Sequence, residues 1–267
     1  MATKITCESC HGTLPHKTSS KMNDHVDRVA CQSCHIPEYA RILPTMMSWD
    51  WSTAGDLKDG KPYHTDGKYG KAVYKSIKGS FVWEKNVKPE YFWYNGGFEH
   101  LSIKDVIDPG QEVEVSHPTG SRDDPNSRIH PFKRHHSNMP YDKVNKRLVA
   151  PLLSGPKGFW TTFDMNDAIT RGNKTLDVDY SGEFDYVQTT YAFPITHMVA
   201  PASNAVNCTE CHIRKHGRLA SITGIYLPGR DKNAIIDTIG IIVVLGAFIG
   251  VMLHGLGRCF TQNRKEE

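Results

Sequence analysis

The hydropathy of the chain is uneven, and its longest apolar run lies near the C-terminal end. From Thr238 to Gly257 the sequence TIGIIVVLGAFIGVMLHGLG contains no Asp, Glu, Lys or Arg. A helix of about 20 residues crosses a hydrocarbon core of roughly 30 Å, so the run predicts one transmembrane helix, a buried core helix being the alternative. Upstream the pattern is shorter and mixed. GSFVWEKNV and QEVEVSH alternate as strands do, YNGG marks a tight turn, and TTFDMNDAIT reads as a capped helix. SSKMNDHVDRVACQSCHIPEYARIL reads as one continuous helix. The predicted fold is mainly α, with long irregular segments and a few short strands, plus the C-terminal transmembrane helix. The predicted divisions are a domain over 1–226, a linker over 227–237, the membrane helix over 238–257 and a short basic tail over 258–267.

Composition narrows the partners. A formal charge of +3 and 39% hydrophobic residues suit a globular protein. The cluster RIHPFKRHHS, from Arg128 to Ser137, is too short and too rich in His for a nucleic-acid patch, and no nucleic-acid partner is expected.

Candidate chemistry comes from six of the seven cysteines. CESCH (Cys7, Cys10, His11), CQSCH (Cys31, Cys34, His35) and CTECH (Cys208, Cys211, His212) repeat one pattern. In a c-type haem site both thiols bond the porphyrin, and the next residue's imidazole reaches the iron. The repeats therefore predict three covalently bound haems c, with His11, His35 and His212 as proximal ligands. Zinc is the competing reading, since Cys7, Cys10, His25 and Cys31 supply the right donors. Zinc does not require a His directly after the second Cys three times over, and the third motif has no neighbouring Cys pair.

Each iron has a second axial position, and 14 histidines leave 11 beyond the proximal three. His16 follows the first motif and His25 precedes the second. His117 and His130 stand before prolines, which bias them away from helical angles and towards fixed loops, and His197 sits in the apolar FPITHMVAP. These five are the candidate distal ligands, ahead of His64, His100, His135, His136 and His216. Three haems need three distal ligands, so five well-placed histidines predict that the surplus serves haems carried by another segment. The aromatics of PEYFWYNGGF suit core packing or the walls of porphyrin sites.

Both flanks of the apolar run are basic, so charge alone does not orient it. Haem c attachment takes place on the outer side of bacterial energy-transducing membranes, which puts the motifs on the periplasmic side and the C-terminus in the cytoplasm. Residues 1–30 show no secretory apolar run, so the expectation is either a longer protein or an export route not visible here. Gly246 and Gly250 lie about one turn apart, where small residues let helices approach, and homo-oligomer contact or lipid exposure both fit. His254 fits a headgroup-level residue, a b-type haem ligand or a quinol contact; Cys259 is expected as a thiol at the inner surface.

The strings RVACQSCHIPEYAR, FVWEKNVKPEYFWYNG, RIHPFK, YAFPITHMVAP and NCTECH, in that order, resemble the octahaem tetrathionate reductase family of multihaem cytochromes c. The likeness runs from about Cys7 to Tyr226. It implies a fold of packed haems with little regular sheet and reduction of tetrathionate, with nitrite or hydroxylamine as side substrates. Members carry eight haems, one with a lysine ligand at the active site. Three motifs are present here, all ending in His, and neither Lys85 nor Lys88 adjoins one, which implies a haem-bearing portion outside this chain. Two functions follow: the C-terminal part or a subunit of a reductase for sulfur or nitrogen oxyanions, or a membrane-anchored electron-transfer module with no substrate of its own and a separate redox partner.

Overall fold

The computed structural model describes residues 6–263. It corrects the expectation of a mainly α fold, because the centre of the chain forms one mixed sheet of ten strands. The strands are β1 (Thr45–Asp50), β2 (His64–Asp66), β3 (Ala72–Lys75), β4 (Gly79–Glu84), β5 (Glu90–Tyr94), β6 (Phe98–His100), β7 (Val113–Pro118), β8 (Arg128–Asp142), β9 (Arg147–Leu148) and β10 (Phe184–Pro194). The main path runs β2-β3-β4-β1-β8-β10-β7-β6, with β5 and β9 also paired to β8. The β1–β8 and β10–β7 pairs are parallel and the others antiparallel.

Helices are few and mostly short. They are α1 (Glu8–His11), α2 (Ser20–His25), α3 (Cys31–His35), α4 (Phe159–Thr162), α5 (Met165–Thr175), α6 (Cys208–Cys211) and α7 (Ala234–Asn263). The capped helix read from TTFDMNDAIT is α5, where the Asp164 carboxylate accepts from the Asp167 amide. The strands read from GSFVWE and EVEVSH are β4 and β7. YNGG is the turn between β5 and β6, with Gly96 at φ +101°, an angle glycine adopts without strain.

The helix expected to run through the second motif is instead two pieces, α2 and α3. Ala30 is extended at ψ 144° and its amide donates to the Ile129 carbonyl, while the Ile129 amide donates to Arg28. Pairing with the start of β8 thus outcompetes helix continuation. His117 and His130, expected in fixed loops, lie within β7 and β8. The angles that proline imposes on its predecessor are those of a strand.

Two sets of apolar residues pack against the sheet. Trp51, Val149, Phe159, Met165, Ala168 and Ile169 bury α4 and α5, and Ile107, Val113, Leu148 and Val187 form a second cluster. Gly172 permits the first packing, since a Cβ there would stand 1.8 Å from the Ala150 carbonyl oxygen. Asp142, fully buried at the end of β8, accepts five hydrogen bonds from Val144, Asn145 and Ser181 and closes the loops there.

The chain divides into two compact units. One comprises residues 1–207 and 221–223, and holds the sheet and the first two motifs. The other comprises residues 208–220 and 224–267, and holds the third motif and α7. Between Ala234 and Arg258 the helix carries only Asp237 and Arg258 as charged residues, and its apolar side chains are exposed. Among the described residues it is the one helix long and apolar enough to cross a membrane. The side chain of Cys259 lies outside the described residues.

Candidate haem sites

Each Cys-x-x-Cys-His stretch forms a short helical turn. In the first, the His11 amide donates to the Cys7 carbonyl at 3.0 Å; in the third, the His212 amide donates to Cys208 at 2.8 Å. One turn brings residues three and four apart onto one face, which places both thiols and the imidazole of each motif on the same side.

The first two motifs share one cavity of about 560 Å³. Cys7, Cys10, His11, Cys31, Cys34 and His35 all line it, and so do His16 and His25. Its walls are completed by apolar residues such as Pro15, Met22, Val26, Val29 and Ala200. Pockets of roughly 300–1,000 Å³ bury a cofactor-sized ligand. Cys7 and Cys31 approach each other closely, and burial together with these neighbours pushes the Cys31 thiol's pKa up. Burial, with the nearby His16 and His11, holds the pKa of His35 below its ordinary value.

The His16 and His35 rings are near-parallel, with centroids 6.2 Å apart and planes 8° from one another. Two imidazoles bonded to opposite faces of one metal at about 2 Å, each with about 1 Å from nitrogen to ring centre, have centroids roughly 6 Å apart. Asn23 fixes His16. Its side-chain oxygen accepts from the His16 amide at 3.0 Å and lies 3.2 Å from the ring's Nδ1, while its amide group donates to the His16 carbonyl.

A metal-bound His commonly donates its other ring N–H to an oxygen acceptor, which fixes the tautomer and leaves the remaining nitrogen for the metal. Nδ1 of His25 lies 2.7 Å from the Lys21 carbonyl, and Nδ1 of His212 lies 2.9 Å from that of Pro228. Nδ1 of His117 is 3.0 Å from the Glu114 carboxylate, and Nδ1 of His130 is 3.0 Å from the Pro131 carbonyl. His130 is buried among Tyr94 and Phe132, and the Phe92 ring stands edge-on to His117. His197 is exposed next to Met198, whose φ is +76°. Sequence reasoning gave no role to Asn23, Lys21 or Pro228. No motif marks them, because each acts through a backbone or amide oxygen that depends on chain geometry.

Around the third motif, Gly229 packs on the His212 backbone at φ +86°, and a Cβ there would stand 2.7 Å from the His212 oxygen. Arg230 donates to the carbonyls of Leu219 and Ile225 and pairs with Asp231 at 2.7 Å. These contacts tie the motif to the segment that enters α7. Among the described residues no group of three or more His, Cys, Asp and Glu side chains is placed to hold a metal ion.

Comparison with known proteins matches residues 46–215 to the family described as bacterial cytochrome c. The chain belongs to the bacterial cytochrome c family. Among solved structures, this cytochrome is similar to the octaheme cytochrome c from Shewanella oneidensis, at 42% identity and a TM-score of 0.72 over 78% of this chain. The match covers 48% of that protein, so the cytochrome spans about half its length. A search of curated proteins finds no match. Family and motifs together make this a multihaem c-type cytochrome with covalently bound haem c, suited to redox chemistry. The cavity, its paired imidazoles and its thiols fit that cofactor.

Proposed function

We propose that the chain is a membrane-anchored multihaem cytochrome holding three haems c, and that it forms the C-terminal part or one subunit of a tetrathionate-reductase-like oxidoreductase acting on sulfur or nitrogen oxyanions. Cys7 and Cys10, Cys31 and Cys34, and Cys208 and Cys211 would form the thioethers, with His11, His35 and His212 as proximal ligands. His16 would complete the coordination at His35. The observation that carries the haem assignment is the single cavity lined by two Cys-x-x-Cys-His motifs, with the near-parallel His16 and His35 rings 6.2 Å apart on its wall. Bound haem c supplies a one-electron iron couple. The chain's part is to fix the imidazoles through Asn23, Lys21 and Pro228 and to keep water from the ring faces with Met22, Val26 and Val29.

His25, His117, His130 and His197 complete the set of candidate distal ligands. His117 and His130 belong to neither the shared cavity nor the third motif, and their Nδ1 atoms already have oxygen partners. We assign them to haems on a partner segment or polypeptide, in line with a match to half of an octaheme cytochrome. The exposed apolar surface of α7 supports a membrane anchor, with the haem units on the periplasmic side and the C-terminus in the cytoplasm. Gly246 and Gly250 offer a surface for a second copy.

A His16–His35 pair on one iron would also support the second reading, an electron-transfer module, because a six-coordinate iron exchanges electrons without binding substrate. Electron paramagnetic resonance of the isolated ferric protein separates the two. A high-spin signal from an open coordination site supports the reductase; low-spin signals alone support the module. Membrane fractionation tests the anchor. The full chain should resist a high-salt wash, and a chain ending at Asn233 should become soluble.

A further inference from the structure

Alternation along a strand sends neighbouring side chains to opposite faces of a sheet, and the two basic residues at the centre of β8 meet opposite fates. Arg134 is surrounded by carboxylates: its guanidinium lies 2.7 Å from Glu112, 3.5 Å from Glu114 and 3.8 Å from Glu90. Lys133 points the other way. Its ammonium donates to the Thr45 hydroxyl at 2.8 Å and stands 5.9 Å from the centre of the Phe193 ring. Among the described residues no carboxylate lies within ion-pair distance of it.

His135 shares the face of Lys133, two residues and so roughly 7 Å along the strand. Its Nδ1–H donates to the Met46 carbonyl at 3.2 Å, which leaves Nε2 as the nitrogen not used in that bond. Across the ladder, Phe193 pairs with Lys133 and Tyr191 with His135. The two aromatic rings are stacked with centroids 6.4 Å apart, and the Tyr191 hydroxyl is spent on the Met139 sulfur. Phe193 is 48% exposed, so the face is open to solvent. Burial lowers the pKa of both Lys133 and His135, and the lysine's charge adds to the effect on His135. A half-buried ammonium with spare donors and no counter-charge is an unbalanced cation.

We propose that Lys133, Thr45 and His135 form a subsite for a small oxyanion or carboxylate. Lys133 supplies the charge and Thr45 a hydroxyl, while His135 lies alongside to donate from Nε2 when protonated, with Phe193 and Tyr191 as the wall. The same chemistry fits a free inorganic oxyanion or the propionate of one of the protein's own bound haems. The inference goes beyond the proposed function, for it needs neither the membrane anchor nor a count of three haems.

The test is calorimetric titration of the haem-loaded protein with sulfite, alongside redox titration, for the wild type, Lys133→Met, Lys133→Arg and Lys143→Met. Lys143 is an exposed lysine beside Glu183 and serves as the control. Saturable sulfite binding that weakens at least tenfold in Lys133→Met, and holds in Lys133→Arg and Lys143→Met, establishes a free-oxyanion site. If the wild type binds no sulfite but Lys133→Met alone lowers the midpoint potential of one haem, the subsite holds a propionate. Equal sulfite binding in all four proteins, or none in any, with unchanged potentials overturns the proposal. Circular dichroism checks that Lys133→Met keeps the fold.

Discussion

The first and second motifs differ by one residue in five, CESCH against CQSCH, yet they are held in opposite ways. Ser33 of the second is 4% exposed and its hydroxyl donates to the Ile129 carbonyl at 2.7 Å. The Tyr91 hydroxyl donates to the Ser33 carbonyl, and the carbonyls of Cys34 and His35 accept from Val206 and Ala200. Ser9, at the same place in the first motif, is exposed and its hydroxyl meets only the neighbouring Thr6, through that residue's amide and hydroxyl. No residue of α1 is buried, and its link to the sheet is the ion pair of Glu8 with Arg128 at 2.9 Å. The pattern specifies attachment chemistry; the surroundings decide whether the protein alone fixes the site or whether the cofactor must.

The largest expected effect comes from the core of β8, the strand whose start receives the second motif. Phe132 is fully buried and its ring meets Phe92, Tyr94, Phe98 and His130. Phe132→Ala should cost about 3–5 kcal/mol by urea unfolding, as large-to-small changes in a packed core do. Leu14→Ala, on the exposed chain after the first motif, should fall within about 0.5 kcal/mol of wild type.

The matched serines sharpen the comparison. Ser33→Ala removes one of the two donors to the Ile129 carbonyl, which keeps the Ala30 amide, and should cost about 0.5–1.5 kcal/mol. Ser9→Ala should change stability by less than about 0.5 kcal/mol. Equal costs at the two positions would remove the distinction between the motifs.

The smallest effect is electrostatic. The pKa of Glu8 lies below the ordinary 4.5, through hydrogen bonds from its own backbone amide and from Thr6, with Arg128 adding to the shift. A carboxylate whose pKa falls on folding contributes stability that is present above its unfolded value and is lost as pH drops through the lower folded value. Acidification below about 4.5 should therefore loosen the first motif before the second, as read by hydrogen exchange. Glu8→Gln should abolish that pH dependence at a cost of about 0.2–1 kcal/mol.

What could be read from the chain follows the range of each interaction. The Cys-x-x-Cys-His repeats and the apolar run of α7 are local signals, complete within five and about twenty residues. The long ladder between β8 and β10 is not local. β8 reads RIHPFKRHHSNMPYD, where two prolines and a run of basic residues hide the alternation, because partners such as Glu112 and Thr45 supply its polar contacts from distant sequence. The strand signal was present in YVQTTYAF, with β-branched and aromatic residues on β10. His16 was legible as a possible ligand, but its partner was not, since only the tertiary fold brings it to His35 rather than to the adjacent His11.

That pairing is the central claim, and one measurement addresses it directly: the ferric electron paramagnetic resonance spectrum of His16→Ala against wild type, both loaded with haem. If His16 completes the coordination opposite His35, the substitution converts one low-spin haem to high spin while the others keep their signals. An unchanged low-spin spectrum in a folded, fully loaded variant would contradict it.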